Sequence, residues 1–176
     1  MARSKTKRLF FALWPDGPVR DQLHRIQATL DLSAGRPVHK ADLHITLQYL
    51  GQADADQLEC VKAAASRVDA ARFRLEIDSI HHWRRPRVLW AGLAEVPNEL
   101  SRLVRQLGEE LADCGFPPEE RSYHPHITLA RKVRKAASLR LADTILWNVD
   151  EFVLAVSHSD GRVPRYEPIA WFPLQR

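Results

Sequence analysis

Four side chains are of types, and at spacings, that could do chemistry together: His44, Thr46, His126 and Thr128. They belong to a tetrapeptide, His-Ile-Thr-Leu, that occurs at 44–47 and again at 126–129. The histidines lie 82 residues apart (126 − 44), near half of the 176-residue chain. Imidazole gives or takes a proton near neutrality, with an unperturbed pKa of about 6.5. A threonine hydroxyl can donate to oxygens that gain charge in a transition state. In-line displacement at phosphorus needs a base on the entering water and an acid on the leaving oxygen, on opposite sides. Two histidines facing each other across a cleft meet that demand. Arg131, five residues past His126, is placed to share the charge. A metal site fits less well. His124 and His126 could chelate together, but the first motif offers one nitrogen and a poor hydroxyl ligand, with no cysteine or carboxylate. No serine or cysteine stands in a nucleophile elbow. Paired acid–base catalysis without metal or cofactor is the expectation.

The elements that hold these residues follow from periodicity. Each motif lies in a run of β-branched and apolar residues, Leu43–Gly51 and Tyr123–Arg131, and reads as a strand. On a strand, residues i and i+2 share a face, so each motif turns His and Thr one way and Ile and Leu the other. Before each motif comes a strand, a proline-containing turn, a helix and a loop. The strands start at Leu9 and Leu89. The first helix follows Pro18, with Val19, Leu23, Ile26 and Leu30 on its buried face. The other, capped by Asn98, carries Leu100, Leu103, Val104, Leu107 and Leu111 and stops at Gly115. Between the two units run a helix from an Asp54 N-cap to Asp69 and a strand from Arg72 to His82. Val38–Lys40 reads as a short extended piece, Gly51 as the stop of the first motif strand, and Ala136–Ala142 as a short helix. A hairpin of Phe152–Ser157 and Tyr166–Phe172 closes the chain. The repeat predicts an α+β fold of two lobes related by a pseudo-dyad, one domain over 1–176, with the motif strands lining the groove between them.

Composition narrows the setting. Net charge is +4, mildly favouring an anionic partner. Cys60 and Cys114 form no CxxC pair, so a reduced, cytoplasmic protein is expected. No stretch approaches the roughly 20 apolar residues of a membrane span. The basic start, Met1 to Arg8, is followed by an apolar run too short for a secretory leader. The segment Arg131-Lys132-Val133-Arg134-Lys135 leaves directly from the second motif and is placed to hold a polynucleotide backbone, with Lys132 and Arg134 as RNA contacts. Tyr123 either stacks on a base or packs. Trp83 and Trp90, beside Arg84, Arg85 and Arg87, form either a basic–aromatic RNA surface or a solvated loop.

Together, the two His-Ile-Thr-Leu motifs and their flanks, Arg8–Leu13, Leu50-Gly51, Pro86–Gly92, His124–Arg131 and Tyr166–Leu174, resemble the 2H phosphoesterase superfamily. The branch they resemble is the bacterial and archaeal RNA 2′,3′-cyclic phosphodiesterases, also called the 2′-5′ RNA ligase family. The resemblance implies a bilobal fold with an antiparallel sheet and outer helices in each lobe. It implies metal-independent opening of a 2′,3′-cyclic phosphate at an RNA end to a 2′-phosphate, with 2′-5′ joining as the reverse reaction. It makes His44 the proton donor, His126 the proton acceptor, and Thr46 and Thr128 phosphate binders. It implies RNA ends bearing a 2′,3′-cyclic phosphate as partners of a monomer. The loop Ser159–Arg165 is longer and more basic than the turn usual in that family. Two other functions share these features: a 2H enzyme for a small nucleotide, such as a cyclic ADP-ribose phosphate or a 2′-5′ oligoadenylate, and a non-catalytic RNA- or nucleotide-binding module.

Overall fold

The computed structural model describes residues 6–176; the first five residues of the basic start lie outside the described part. Nine strands and three helices follow one another as β1 (Lys7–Leu13), α1 (Gly17–Thr29), β2 (Arg36–Pro37), a 3-10 turn (Lys40–Asp42), β3 (Ile45–Ala53), α2 (Ala55–Ser66), β4 (Phe73–Trp83), β5 (Val88–Leu93), α3 (Asn98–Ala112), β6 (Ile127–Arg131), β7 (Leu139–Val149), β8 (Glu151–Ser157) and β9 (Tyr166–Pro173). The pairing is antiparallel in the order β7-β4-β5-β6-β3-β1-β8-β9, with β2 added beside β6. This is an α+β fold in which each half contributes four strands to that order, and β2, from the first half of the chain, crosses to pair with β6 of the second. The halves meet where β3 pairs with β6, and that ladder consists of one pair, Ile45 with Ile127.

The repeat in the sequence is a repeat in space. β1 pairs with β3 after α1, and β5 pairs with β6 after α3. Both motif strands also bulge at the same motif position. The register skips Leu47 in β3 and Leu129 in β6, so each motif leucine has no partner opposite it. A bulge bends its strand and re-aims the side chains next to it. β3 carries a second bulge at Leu50, and Gly51 takes a left-handed φ of 77° there. Gly51 therefore does not end the strand, as expected from sequence; it lets the strand continue to Ala53, because glycine alone enters that region without a Cβ clash.

β1 explains its continuous apolar run by being covered on both faces. Leu9, Phe11 and Leu13 enter the main core with Val19 and Leu23 of α1. Phe10 and Ala12 form a second cluster with Val153 and Ala155 of β8, against which Trp14 and Tyr166 pack. α1 starts at Asp16, whose carboxylate accepts from Val19 N at 2.9 Å. α2 has the expected Asp54 cap, completed by Gln57 into a reciprocal capping box.

Several sequence expectations are corrected. The segment forecast as a helix, 136–142, enters β7, which pairs along β4 at the sheet edge. Ile145, Trp147 and Val149 alternate inward there, a period-two signal that the basic residues before them obscure. The N-cap of α3 is Pro97 rather than Asn98. The expected extended piece at Val38–Lys40 is instead β2 at Arg36–Pro37 followed by the 3-10 turn. Cys60 and Cys114 are not free thiols: their sulfurs are bonded, with Cα atoms 5.7 Å apart, joining α2 to the end of α3. Sequence separation hid the pair, because only the packing of α2 on α3 brings residues 54 apart together. Among the described residues, no helix is long and apolar enough to cross a membrane.

Candidate active site

The strands begin one residue after each histidine, at Ile45 and Ile127, so His44 and His126 stand at strand mouths rather than inside strands. The expected alternation holds: Ile45, Leu47, Ile127 and Leu129 are buried, while Thr46 and Thr128 keep partial exposure. His44, Thr46, His126 and Thr128 line one pocket of about 270 Å³. Arg131 lines it too. So do Arg8 of β1 and Arg165 of the β8–β9 loop, which sequence reasoning had not placed in the site.

Both imidazoles are held in the same way. His44 Nδ1 lies 2.6 Å from the carbonyl oxygen of Asp42, and His126 Nδ1 lies 2.9 Å from that of His124. A carbonyl only accepts, so Nδ1 carries the proton in both rings and Nε2 is left to do chemistry. In the neutral His44 ring, Nε2 sits 3.1 Å from Thr46 Oγ1, whose hydroxyl donates to it. Aromatic rings fix the remaining freedom. Trp14 stacks on His44 at 5.2 Å and Tyr166 meets it edge-on at 5.1 Å. Around His126, Trp83 lies at 4.7 Å and Trp90 at 6.0 Å, both edge-on. Trp83 and Trp90 therefore support the second histidine, a third option beside the RNA surface and the solvated loop.

Asp42, unremarked in the sequence, is the keystone of the first half. Its side chain is buried, and its two oxygens accept from Arg165 N at 2.8 Å and Tyr166 N at 2.9 Å. Its backbone oxygen holds His44. One residue thus ties the start of β9 to the histidine. Tyr123 makes the corresponding link from the second motif: its hydroxyl donates to the Thr46 carbonyl at 2.9 Å, and burial pushes the phenol well above its ordinary range. That hydroxyl is used inside the protein, whatever its ring meets.

Burial also lowers both imidazoles. His44 is pushed down to about 4, chiefly by desolvation, against the opposing pull of Asp42, with the His126 and Arg131 charges lowering it further. His126 moves the same way from the same first cause, with His124 and Arg131 adding. Desolvation thus favours the neutral form of both imidazoles.

Two larger grooves open from this pocket. One, of about 1110 Å³, is shared by α1, β2, the 3-10 turn and the loop before β9, and includes His44, Thr128 and Arg131. The other, of about 600 Å³, runs beside α3 and includes Thr46, Tyr123 and His126. Lys132 lines the first groove, whereas Arg134 lines neither groove nor the pocket. Among the described residues, no group of three or more His, Cys, Asp or Glu side chains is gathered so as to hold a metal ion.

Comparison with known proteins bears on the family and the overall fold. The family model of the 2′-5′ RNA ligase superfamily matches residues 15–161. An RNA 2′,3′-cyclic phosphodiesterase of Escherichia coli K12 is 35% identical over 170 residues, covering 94% of this chain and 96% of its own. A protein of the same description from Thermus thermophilus is 30% identical, covering 96% of this chain and 90% of its own. The crystal structure of E. coli LigT in apo form superposes with a TM-score of 0.89 at 33% identity, covering 98% of this chain and all of the other.

Proposed function

The chain belongs to the 2′-5′ RNA ligase superfamily, and from that membership we propose that it is an RNA 2′,3′-cyclic phosphodiesterase working by paired-histidine catalysis. The carrying observation is the convergence of His44, His126, Thr46 and Thr128 on one small pocket, each imidazole presenting Nε2. The whole chain, 1–176, acts as one bilobal domain with its active cleft between the halves.

In the reaction, a water oxygen attacks phosphorus while His126 Nε2 takes its proton. The P–O3′ bond breaks and His44 Nε2–H protonates the departing oxygen. The products are a 2′-phosphomonoester and a free 3′-hydroxyl. Thr46, Thr128 and Arg131 hold the non-bridging oxygens as their charge grows. Turnover ends with the proton on His126, and exchange with solvent restores the starting state. In 2′-5′ joining, the 5′-hydroxyl of a second RNA takes the place of water: His126 Nε2 accepts its proton, the P–O3′ bond breaks, His44 Nε2–H protonates O3′, and the product is a 2′-5′ phosphodiester with a free 3′-hydroxyl. His44 must be an imidazolium to act, and the substrate's own negative charge supplies the bias towards protonation. No metal or cofactor takes part, and the protein works as a monomer on RNA ends. Tyr123 and Lys132 are proposed contacts to the RNA, whereas Arg134 lies outside the grooves.

The test is turnover, in EDTA, of a 2′,3′-cyclic mononucleotide beside an RNA oligomer ending in the same group. Conversion of both to 2′-phosphates, faster for RNA, is expected. Loss of activity in chelator, restored by zinc or magnesium, would overturn the acid–base reading. A mononucleotide rate above that of RNA would favour a small-nucleotide enzyme.

A further inference from the structure

The two grooves flanking the catalytic pocket are not alike, and their difference has a direction. His44 lines the larger groove and not the smaller; His126 lines the smaller and not the larger. The larger groove carries six cationic side chains, Arg20, Arg36, Lys40, Arg131, Lys132 and Arg165, against one acid. That acid is Asp42, whose carboxylate is already taken by two backbone N–H groups. Lys40 is paired with Asp21. Arg36, Arg131, Lys132 and Arg165 form no ion pair among the described residues. The smaller groove carries Arg105 and Arg121 against Glu119. A polyanion discriminates strongly between two such channels.

In-line geometry says which channel must hold the substrate's body. In a 2′,3′-cyclic phosphate, O2′ and O3′ belong to one ribose. When O3′ leaves opposite the incoming water, the ribose, its base and every nucleotide 5′ to it lie on the leaving side. The acid that protonates O3′ stands on that side, and the base stands on the other.

We propose that the cationic groove seats the RNA strand on the 5′ side of the cyclic phosphate, and that the smaller groove beside His126 is the entry side for the nucleophile. In hydrolysis the nucleophile is water; in ligation it is the 5′-hydroxyl of a second RNA. Tyr49, half exposed and shared by the pocket and the smaller groove, offers a ring face for that acceptor's first base. The inference rests on the proposed phosphodiesterase reading and deepens it: groove charge alone names His44 as the acid, independently of family likeness. It also moves the strand path. The path runs from Arg131 and Lys132 towards Arg36 on β2 rather than along Arg134 and Lys135.

The experiment measures how KM depends on salt for the full-length enzyme, using an RNA oligomer and a cyclic mononucleotide. The first double variant is Arg36→Ala with Lys132→Asn, asparagine being chosen because Lys132 has a φ of 60°. Each phosphate contact on a single strand contributes about 0.7 to the slope of log affinity against log salt. Losing two should flatten the oligomer slope by roughly 1.4, so that the rise in KM from about 50 to 200 mM salt shrinks by roughly sevenfold. The mononucleotide, which carries no upstream phosphate, should respond far less. The mirror pair, Arg105→Ala with Arg121→Ala, should change the oligomer slope less than the first pair. A larger flattening from the mirror pair places the strand in the other groove and overturns the assignment. So does an unchanged slope in the first pair, or equal effects on both substrates. If the wild type turns over neither substrate, the phosphodiesterase reading falls, and this inference with it; turnover with unaltered slopes removes this inference alone.

Discussion

Binding an anion in the pocket should charge His44. The ring is pushed to about 4 by burial, so at pH 7 only about one molecule in a thousand carries the second proton that a donor needs. Raising that pKa to about 7 takes about three units, or roughly 4 kcal/mol. One negative charge about 4 Å from the ring, at an effective dielectric near 20, contributes roughly 4 kcal/mol. The substrate's own phosphoryl charge is thus of the size required to arm its acid. Sulfate is a useful probe because it stays a dianion across the neutral range. Its binding at pH 6 should draw in about 0.9 of a proton at His44, the difference between a ring of pKa near 7 and one near 4. Titration calorimetry in buffers of different ionisation enthalpy reads this uptake directly. His44→Ala should remove most of it. Sulfate binding with heats independent of buffer, or uptake unchanged in His44→Ala, would refute the reasoning.

Further expectations concern the same residues. His44→Ala and His126→Ala should each cost roughly 10²–10⁴ in turnover, with the double variant little worse than the poorer single one; a nitrophenyl phosphodiester, whose leaving oxygen needs little acid, should rescue His44→Ala more than His126→Ala. Because the folded His44 pKa lies below the unfolded value of about 6.5, its stabilising contribution is full above pH 6.5 and is lost as pH falls towards 4; denaturant melts of wild type against His44→Asn should show a difference that changes by roughly 3 kcal/mol across that window. Asp42→Ala leaves two part-buried N–H groups without their acceptor and should cost roughly 1–3 kcal/mol in a urea melt, with Asp42→Asn milder. Reducing Cys60–Cys114, which closes a separation of 54 residues, should cost up to about 4 kcal/mol of stability while leaving kcat unchanged, because no pocket residue is a cysteine.

What could be read from sequence was whatever local pattern controls. The His and Thr alternation needs only the two-residue period of a strand, and it placed four site residues on one side. The α2 cap needed only Asp54 and Gln57 three residues apart. What stayed hidden depends on pairing across the chain. Asp42 meets the start of β9 from 123 residues away. Arg8 reaches the pocket because β1 lies beside β3, and Trp83 and Trp90 reach His126 because β4, β5 and β6 are neighbours. The β7 strand was missed because its first half has little apolar alternation and only its second half is buried against the core. Bulges at Leu47 and Leu129 are register events, invisible until the partner strand is known.

The Ile45–Ile127 pair, the one rung of the β3–β6 ladder, lies one residue from each histidine. Directly opposed antiparallel residues keep Cα atoms roughly 4.5–5.5 Å apart, whatever the outer strands do. Around it the halves are laced together: β2 pairs with β6, Gln27 of α1 donates to the Leu129 carbonyl, Tyr123 donates to the Thr46 carbonyl, and Cys60–Cys114 ties α2 to the end of α3. Acid and base are therefore spaced by a braced seam and not by a hinge, since sliding one half along the other by a residue would break the rung and its braces together. The separation that the proton transfers need is written into backbone register, one residue from each imidazole.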